Sequence, residues 1–271
     1  MINKTWSFSR YKTFEDCPRA LWLDEHSNGK TRNLVPLHSL LGTSVHKAIS
    51  FWLDNWSKDL TVSNREVKQV GINFIRKIWK NRNEIITEYV NGTESDDSLG
   101  PKIERTLNKL IDNFFLYIWP IFANYNYLTH ENLYVLNIKD YKILVKPDLI
   151  TKDRAGNLII TDWKSSTTHD DSVEAFQVSA YGLWASNFYE IEPDRIILQV
   201  VNLRTGRSIR GNFSQEEMEE TSKKIEFQIK ELNKIFQKEI LAAKPEVNKC
   251  KRCPHLQICD EGKRNFLELE L

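Results

Sequence analysis

The chain has 271 residues, enough to bury a sizeable core as one large domain or as one domain with a helical subdomain. Its formal net charge is only +1, so a generally basic surface is excluded as a basis for nucleic-acid binding, and any positive path must be local. No run of eighteen apolar residues occurs, and the N-terminus has no apolar stretch suited to a signal peptide. These features predict a cytoplasmic protein with no membrane span.

The first half of the chain is predicted to be mainly helical. Residues up to about 25 form a helix or arm within an N-terminal segment (1–30), and residues 28–35 form a polar loop. A helical region (31–130) follows, with amphipathic helices over about 42–60, 63–83 and 101–123, and with Pro120 as a candidate break. The polar stretch 91–101 is typical of a flexible linker. The aromatic residues of these helices either fill a core or stack unpaired bases.

The second half predicts a mixed β-sheet core over residues 131–213. Strands are expected over 133–139, 142–150, 158–164, 195–202 and 208–213, with a crossover helix between the third and the fourth. Ser214 and Glu217 have the spacing of a capping box, which predicts a long helix to about residue 241. This helix and a cysteine cluster make up the last predicted segment, 214–271.

Two apolar segments of this core each carry an aspartate at or near one end. Asp148 and Asp162 flank a polar segment that contains Gly156, and this pattern predicts a hairpin that places the two acids side by side. Lys164 lies two residues after Asp162 and projects from the same strand face, while Trp163 points away. Two acids and an amine suit a Mg²⁺ or Mn²⁺ site for phosphodiester hydrolysis. For the D-x-K tripeptide alone, ordinary solvent-facing side chains are the alternative.

Further residues extend this pattern. His46 falls on a predicted helix, and Gln177 and Tyr181 share one face of another at i, i+4. The order His, Pro-Asp, Asp-x-Lys, Gln-x-x-x-Tyr resembles the RecB-like branch of the PD-(D/E)xK nuclease superfamily. The resemblance extends from about residue 7 to residue 259, and residues 49–131 are matched by position only.

The resemblance implies an α/β fold with a restriction-endonuclease-like mixed sheet flanked by helices. It also implies a role for each matching residue. Asp148 and Asp162 would hold the metal together with His46 and the carbonyl of Trp163. Lys164 would orient water or stabilise developing charge, and the pair formed by Gln177 and Tyr181 would hold the phosphate and the lysine. For the histidine, an ordinary helix position is the alternative. Glu131 lies where many RecB-like chains place an upstream acid, but a surface glutamate at a strand edge is the favoured interpretation.

The four cysteines suggest a second centre. Cys250, Cys253 and Cys259 have the spacing C-x2-C-x5-C, which favours a soft-metal site over disulfides, and Cys17 is the one cysteine left as a fourth ligand. The context of Cys17 resembles the N-terminal segment of RecB-like nucleases in which one distant cysteine joins three near the C-terminus around a 4Fe-4S cluster. CRISPR-associated RecB-like exonucleases and AddB-type nuclease domains share that arrangement. Structural Zn²⁺ and unrelated free thiols are the alternatives.

The resemblance therefore implies a metal-dependent DNA nuclease. An exonuclease acting on single-stranded ends in DNA repair, recombination or CRISPR adaptation is the expected activity, with a helicase or a CRISPR integrase as candidate partner. An endonuclease or flap nuclease, or a noncatalytic DNA-binding subunit, are the alternatives. Basic residues near the cysteines are candidates for a local electropositive path, although a solvated charged face is equally consistent with them: Lys4, Arg10, Lys12, Arg19, Lys244, Lys249, Lys251, Arg252, Lys263 and Arg264.

Overall fold

The computed structural model describes residues 5–27, 33–138, 140–166, 171–235 and 240–267. The fold is mixed α/β: the first half of the described chain is mainly helical, and most of the strands lie in the second half. The helices of the described residues are α1 (Phe8–Asp16), α2 (Pro18–His26), α3 (Leu37–Trp56), α4 (Asn64–Trp79), α5 (Arg82–Ile85), α6 (Thr87–Val90), α7 (Leu99–Asn113), α8 (Trp119–Phe122), α9 (Asp171–Tyr189), α10 (Gln215–Ile235), α11 (Val247–Cys250) and α12 (Asp260–Leu267). The strands are β1 (Thr5–Ser7), β2 (Asn126–Thr129), β3 (Tyr134–Ile138), β4 (Tyr141–Val145), β5 (Leu149–Lys152), β6 (Leu158–Lys164), β7 (Ile196–Asn202) and β8 (Ser208–Asn212).

The strands form two sheets instead of the single mixed sheet expected from the sequence. The larger has the order β2-β5-β6-β7-β8 and the smaller the order β1-β4-β3. Residues 142–150, predicted as one strand, divide at Pro147: β4 ends before it in the small sheet, and β5 begins after it in the large sheet. Proline has no N–H for a strand ladder, which makes this a natural point for the chain to change sheets.

The centre of the larger sheet matches the prediction. Strands β5 and β6 form the antiparallel hairpin, and Gly156 takes a φ of +82° in its turn, a conformation that glycine adopts without strain. β6 and β7 are parallel and pair from Leu158 opposite Ile196 to Lys164 opposite Asn202. Because parallel neighbours need a crossover, the predicted helix between them is required, and α9 provides it.

Helices cover both faces of the larger sheet. Alternate residues of a strand point to opposite faces, so Ile160 packs into one apolar cluster with Trp184 and Ile229, while Trp163 packs into another with Leu107. The first cluster includes residues of α9 and α10, and the second includes residues of α3, α4 and α7. The aromatic residues of the helical region contact one another there: Trp52 lies edge-on to Phe115 and Trp119 at centroid distances of 5.0 and 5.8 Å. Packing therefore accounts for Trp52, Phe115 and Trp119, whereas Tyr117 of the same region is exposed.

Several predicted boundaries of the helical region differ from the structure. α3 begins five residues before the predicted start, and α7 begins at Leu99, so Gly100 and Pro101 belong to its first turn and not to a linker. Proline fits there because the first N–H groups of a helix have no partner within the helix. The helix does not break at Pro120; a π-helical segment, Phe114–Ile118, leads directly into α8.

The two ends of the chain pack on the same core. β1 lies in the predicted N-terminal arm and pairs in parallel with β4, and Trp6 donates a hydrogen bond of 2.9 Å to Gln228 of α10. The predicted capping box of α10 is present, with Ser214 N–H donating to Glu217 and Glu217 N–H donating back to Ser214 Oγ. Part of the predicted 28–35 loop lies outside the described residues. Leu241, the predicted end of α10, is described and is not helical; the helix as described spans Gln215–Ile235. Among the helices described, none is long and apolar enough to cross a bilayer.

Candidate functional site

The hairpin brings the two predicted carboxylates together. Leu149 pairs with Thr161, so Asp148 and Asp162 stand at neighbouring positions on adjacent chain segments. The backbone N–H of Trp163 donates a 2.6 Å hydrogen bond to Asp148 Oδ2, which fixes the orientation of that carboxylate. Both acids are buried, at 6% and 3% relative exposure. Uncompensated carboxylates are costly to bury, so this arrangement calls for cationic partners.

His46 and Glu131 complete a compact ligand group beside Asp148. His46 Nδ1 lies 2.8 Å from Glu131 Oε1 and 3.1 Å from Asp148 Oδ1. The ligand atoms of these three side chains all lie within 4.8 Å of one another. Among the described residues, no other set of three or more His, Cys, Asp or Glu side chains meets this condition. The favoured sequence interpretation of Glu131 as a surface residue was wrong. Its carboxylate faces the site, and its backbone takes a φ of +51°, a conformation uncommon for a residue with a Cβ.

Lys164 and two residues of α9 form one hydrogen-bond network with Asp162. Lys164 Nζ lies 2.6 Å from Asp162 Oδ2 and donates a 2.7 Å hydrogen bond to Gln177 Oε1. Gln177 Nε2 is 3.1 Å from Asp162 Oδ1 and 2.7 Å from the hydroxyl of Tyr181. Gln177 thus contacts the lysine as expected, whereas the tyrosine contacts Gln177 and, at 3.4 Å, Asp162 Oδ1.

Burial and the charges of the site shift the pKa values of its groups in opposite directions. Burial and the nearby charge of Asp162 raise the pKa of Asp148 to about 6, against the opposing effect of His46. Burial acts to lower the pKa of His46, but the negative charges of Asp148 and Glu131 outweigh it and raise that pKa well above its usual value. Burial acts to raise the pKa of Glu131, and hydrogen bonds and charge from His46 and Lys146 lower it to about 2. The carboxylates of Asp148 and Glu131 therefore favour a positive charge between them, which the protonated His46 supplies here.

Trp163 behaves as its position on the strand predicts. Its side chain is buried among Phe114 and Phe122, at centroid distances of 5.8 and 5.2 Å, on the face opposite the carboxylates. The strand is thereby held by packing on one side while it presents Asp162 and Lys164 on the other. The proposed ligand role of its carbonyl remains a prediction.

These side chains lie in a large open cleft. Its volume is about 1440 Å³, and its walls come from β1, α3, α7, the two sheets and the cysteine segment, by which we mean residues 250–259. The cationic residues that line it are Lys102, Lys146, Lys164, Arg204 and Arg252. Of the basic residues proposed from the sequence and described by the structure, only Arg252 is among them. Arg19, by contrast, pairs with Glu261 at 2.8 and 2.9 Å, and Arg10 pairs with Glu25 at 2.9 Å.

Sequence reasoning missed Arg204 as a residue of this cleft. It lies in the β7–β8 loop, where Asn113 donates hydrogen bonds of 3.0 Å to the carbonyls of Leu203 and Arg204. Its Nε donates a 2.6 Å hydrogen bond to the carbonyl of Ser165, the residue after Lys164. Its position after a buried strand was visible in the sequence, but nothing local distinguished it from Arg207 in the same loop.

The four cysteines line a second, small cavity. It has a volume of about 30 Å³ and is bounded also by Arg19, His255 and other residues from both ends of the chain. None of the four forms a disulfide. Burial raises the pKa of Cys253 to about 12, and burial likewise raises the pKa of Cys250. The structure thus brings Cys17 to the three C-terminal cysteines, as the sequence predicted.

Comparison with known proteins agrees with this geometry. Residues 5–260 match the family described as the PD-(D/E)XK nuclease superfamily, and the chain belongs to that superfamily. No curated protein matches the sequence significantly.

Two solved structures resemble the chain at low identity. The crystal structure of a "putative exonuclease" from Eubacterium rectale aligns with a TM-score of 0.51 and 13% identity, covering 97% of this chain and 88% of that one. The structure called SSO0001 aligns with a TM-score of only 0.32 and 16% identity, over 84% and 86% of the two chains. At such identities the first likeness supports the fold alone, and the second carries no weight.

Proposed function

We propose that this protein is a metal-dependent deoxyribonuclease of the RecB-like branch that acts on single-stranded DNA ends. The observation that carries the proposal is the convergence of His46, Glu131, Asp148, Asp162 and Lys164 in one open cleft. Membership of the nuclease superfamily establishes nuclease chemistry and a nucleic-acid substrate as the basis. The choice of DNA, of single strands and of ends is our proposal, as are a helicase or a CRISPR integrase as partners that would supply such ends.

The donor set fits a divalent cation. Carboxylate oxygens with one imidazole nitrogen suit Mn²⁺ and, with fewer protein ligands, Mg²⁺. Asp162 Oδ2 is buried and has no aligned hydrogen-bond partner, although the lysine ammonium lies 2.6 Å away. His46, Asp148, Asp162 and the Trp163 carbonyl would hold the cation, with Glu131 as an added carboxylate. When bound, the cation would acidify an attacking water and neutralise charge on the phosphate.

The protein's own groups would position the reactants. Lys164 is fixed by Gln177 and can orient the water or stabilise the negative charge that develops on the phosphate oxygens. Tyr181, buried and bonded to Gln177, holds that amide in place. Glu131 fixes the imidazole of His46 through Nδ1 while the cation is absent. The intact set disfavours a noncatalytic scaffold.

The cleft supports the choice of a strand with a free end. Helices α3 and α7 form walls on one side, and Ser7, Phe8 and Ser9 and the cysteine segment form others. A single strand that enters between these walls passes the metal centre, whereas a closed circle has no end to insert. The cationic side chains along the walls would contact its phosphates.

Cleavage of matched linear and circular substrates tests this function. We expect Mn²⁺ or Mg²⁺ to support degradation of a labelled linear single strand and not of a closed circle of the same sequence. Asp162→Asn should abolish cleavage, and Asp194→Asn, an exposed acid outside the cleft, should not. Rapid cutting of the circle would establish an endonuclease instead, and absence of metal-dependent cleavage would reject the proposal.

We further propose that Cys17, Cys250, Cys253 and Cys259 hold a 4Fe-4S cluster. All four line one cavity, and tetrahedral zinc would need sulfurs only about 3.8 Å apart, given Zn–S bonds of about 2.3 Å. No three of these sulfurs lie within 4.8 Å of one another, which favours the larger cluster. Anaerobically purified protein should be brown and contain about four irons per chain. Colourless protein with stoichiometric zinc would replace the cluster by a zinc site and leave the nuclease proposal standing.

A further inference from the structure

A buried acid outside the proposed metal-ligand group, but lining the same cleft, holds the start of the helix that carries His46. Glu88 in α6 is 2% exposed. Its Oε2 accepts a 2.8 Å hydrogen bond from the backbone N–H of Leu37, the first residue of α3, and a 2.7 Å hydrogen bond from Thr87 Oγ1. Pro36, at the N-cap of α3, makes no side-chain capping bond. Glu88 therefore caps α3 from another part of the chain, where the partial positive charge of the helix N-terminus favours a carboxylate.

The backbone strengthens this contact. Val35 N–H donates to Ile85 at 2.7 Å, and Thr87 N–H donates to Val35 at 3.1 Å, so the segment before α3 pairs with the segment that leads into α6. His46 follows Leu37 by nine residues along α3, a separation of about 14 Å at 1.5 Å per residue. A helix moves largely as a rigid body over such a length, so a shift at its first turn reaches the imidazole.

The same short helix is attached to the cysteine segment. Asn91 Nδ2 donates hydrogen bonds of 3.2 Å to the carbonyls of Lys251 and Cys253. Gln257 Nε2 donates a 2.8 Å hydrogen bond to the carbonyl of Val90. Arg252 Nε lies 3.9 Å from Glu88 Oε1, an ion pair too long for a hydrogen bond. The strongest links between α6 and the cysteine segment are therefore the hydrogen bonds of Asn91 and Gln257.

We infer that Glu88 is a positioning residue, through which the cysteine segment sets the position of the His46 helix and so the geometry of the metal centre. This inference rests on the proposed metal site and adds a route by which the cysteine centre supports it. Supporting groups of a metal ligand typically change metal affinity 10–100-fold when removed. Because Glu88 acts at the far end of the helix, we expect the lower part of that range.

Mn²⁺ affinity of Glu88→Ala, measured by calorimetry and by EPR of free Mn²⁺, tests the inference without relying on cleavage. We expect affinity to fall about tenfold, and amide hydrogen exchange in the first turn of α3 to accelerate. Glu66→Ala is the matched control, since Glu66 caps α4, which carries no site residue. It should lower stability and leave Mn²⁺ affinity unchanged.

A double-mutant cycle tests the connection to the cysteine segment. Cys250→Ala should lower Mn²⁺ affinity in the wild-type background, and the loss should be smaller in an Asn91→Ala background, where the link is already cut. Additive effects would contradict the route through Asn91. If Cys250→Ala does not fold, the Glu88→Ala measurement decides alone: unchanged affinity and unchanged α3 exchange would reject the positioning role. Wild-type protein that binds no Mn²⁺ would instead reject the proposed metal centre.

Discussion

Replacement of Gln177 gives the sharpest test of the α9 network. Gln177→Leu keeps much of the side-chain volume while it removes the hydrogen bonds to Lys164, Asp162 and Tyr181. The lysine and Asp162 keep their own ion pair at 2.6 Å. Of the proposed metal ligands, Asp162 loses one hydrogen bond but keeps Lys164 as its partner, and the main change falls on the orientation of the ammonium group toward the phosphate.

The size of the effect follows from these contacts. A hydrogen bond to a charged group contributes about 1.5–3 kcal/mol. Two of the three bonds are of this kind, but the remaining ion pair keeps part of the orientation, so we count one of them, about 1.5–3 kcal/mol. At about 1.4 kcal/mol per tenfold, kcat should fall about 10- to 150-fold. KM should change less than kcat, because the amide hydrogen-bonds to Lys164, although its side chain also lines the cleft.

Single-turnover cleavage of a labelled single strand at saturating Mn²⁺ measures this change. Ser179→Ala is the control, since Ser179 lies in the same helix and its hydroxyl donates to the carbonyl of Ala175, away from the site network. It should cut at the wild-type rate. A Gln177→Leu protein that is folded, binds Mn²⁺ normally and keeps more than half of the wild-type rate would refute the role of this network.

Three further predictions follow from other parts of the molecule. Arg204→Ala should weaken binding to single-stranded DNA about tenfold in fluorescence anisotropy and reduce its salt dependence, whereas Arg207→Ala, an exposed arginine of the same loop, should change little; equal effects would remove Arg204 from the binding path. Because the raised pKa of His46 leaves it protonated without metal, Mn²⁺ affinity should rise with pH above 6.5 and binding should release a proton; equal heats in buffers of different ionisation enthalpy would contradict this. Gly71→Ala would place a Cβ 2.8 Å from the methyl groups of buried Leu107. Thermal unfolding should therefore show that the free energy of unfolding falls by about 1–2 kcal/mol, despite the better helix propensity of alanine.

The local sequence pattern was sufficient to predict which residues meet at the centre of the site. Asp162 and Lys164 share a strand face because side chains alternate with a period of two, and Gln177 and Tyr181 share a helix face because residues four apart are neighbours. The turn at Gly156 joins strands that are close in sequence, so their pairing brings Asp148 beside Asp162 with little dependence on the rest of the chain. The sequence alone therefore determined the acids, the lysine and the helix that supports them.

Contacts between distant segments were decided only by the tertiary structure. Glu131 meets His46 across 85 residues, and Glu88 meets Leu37 across 51. Nothing in the local pattern of either glutamate distinguishes it from a solvated one. The same holds for β1, whose three residues form a strand because β4 offers a free edge. Hydrogen-bond partners of this kind are set by how helices and sheets pack against each other, and no periodicity within one segment contains that information.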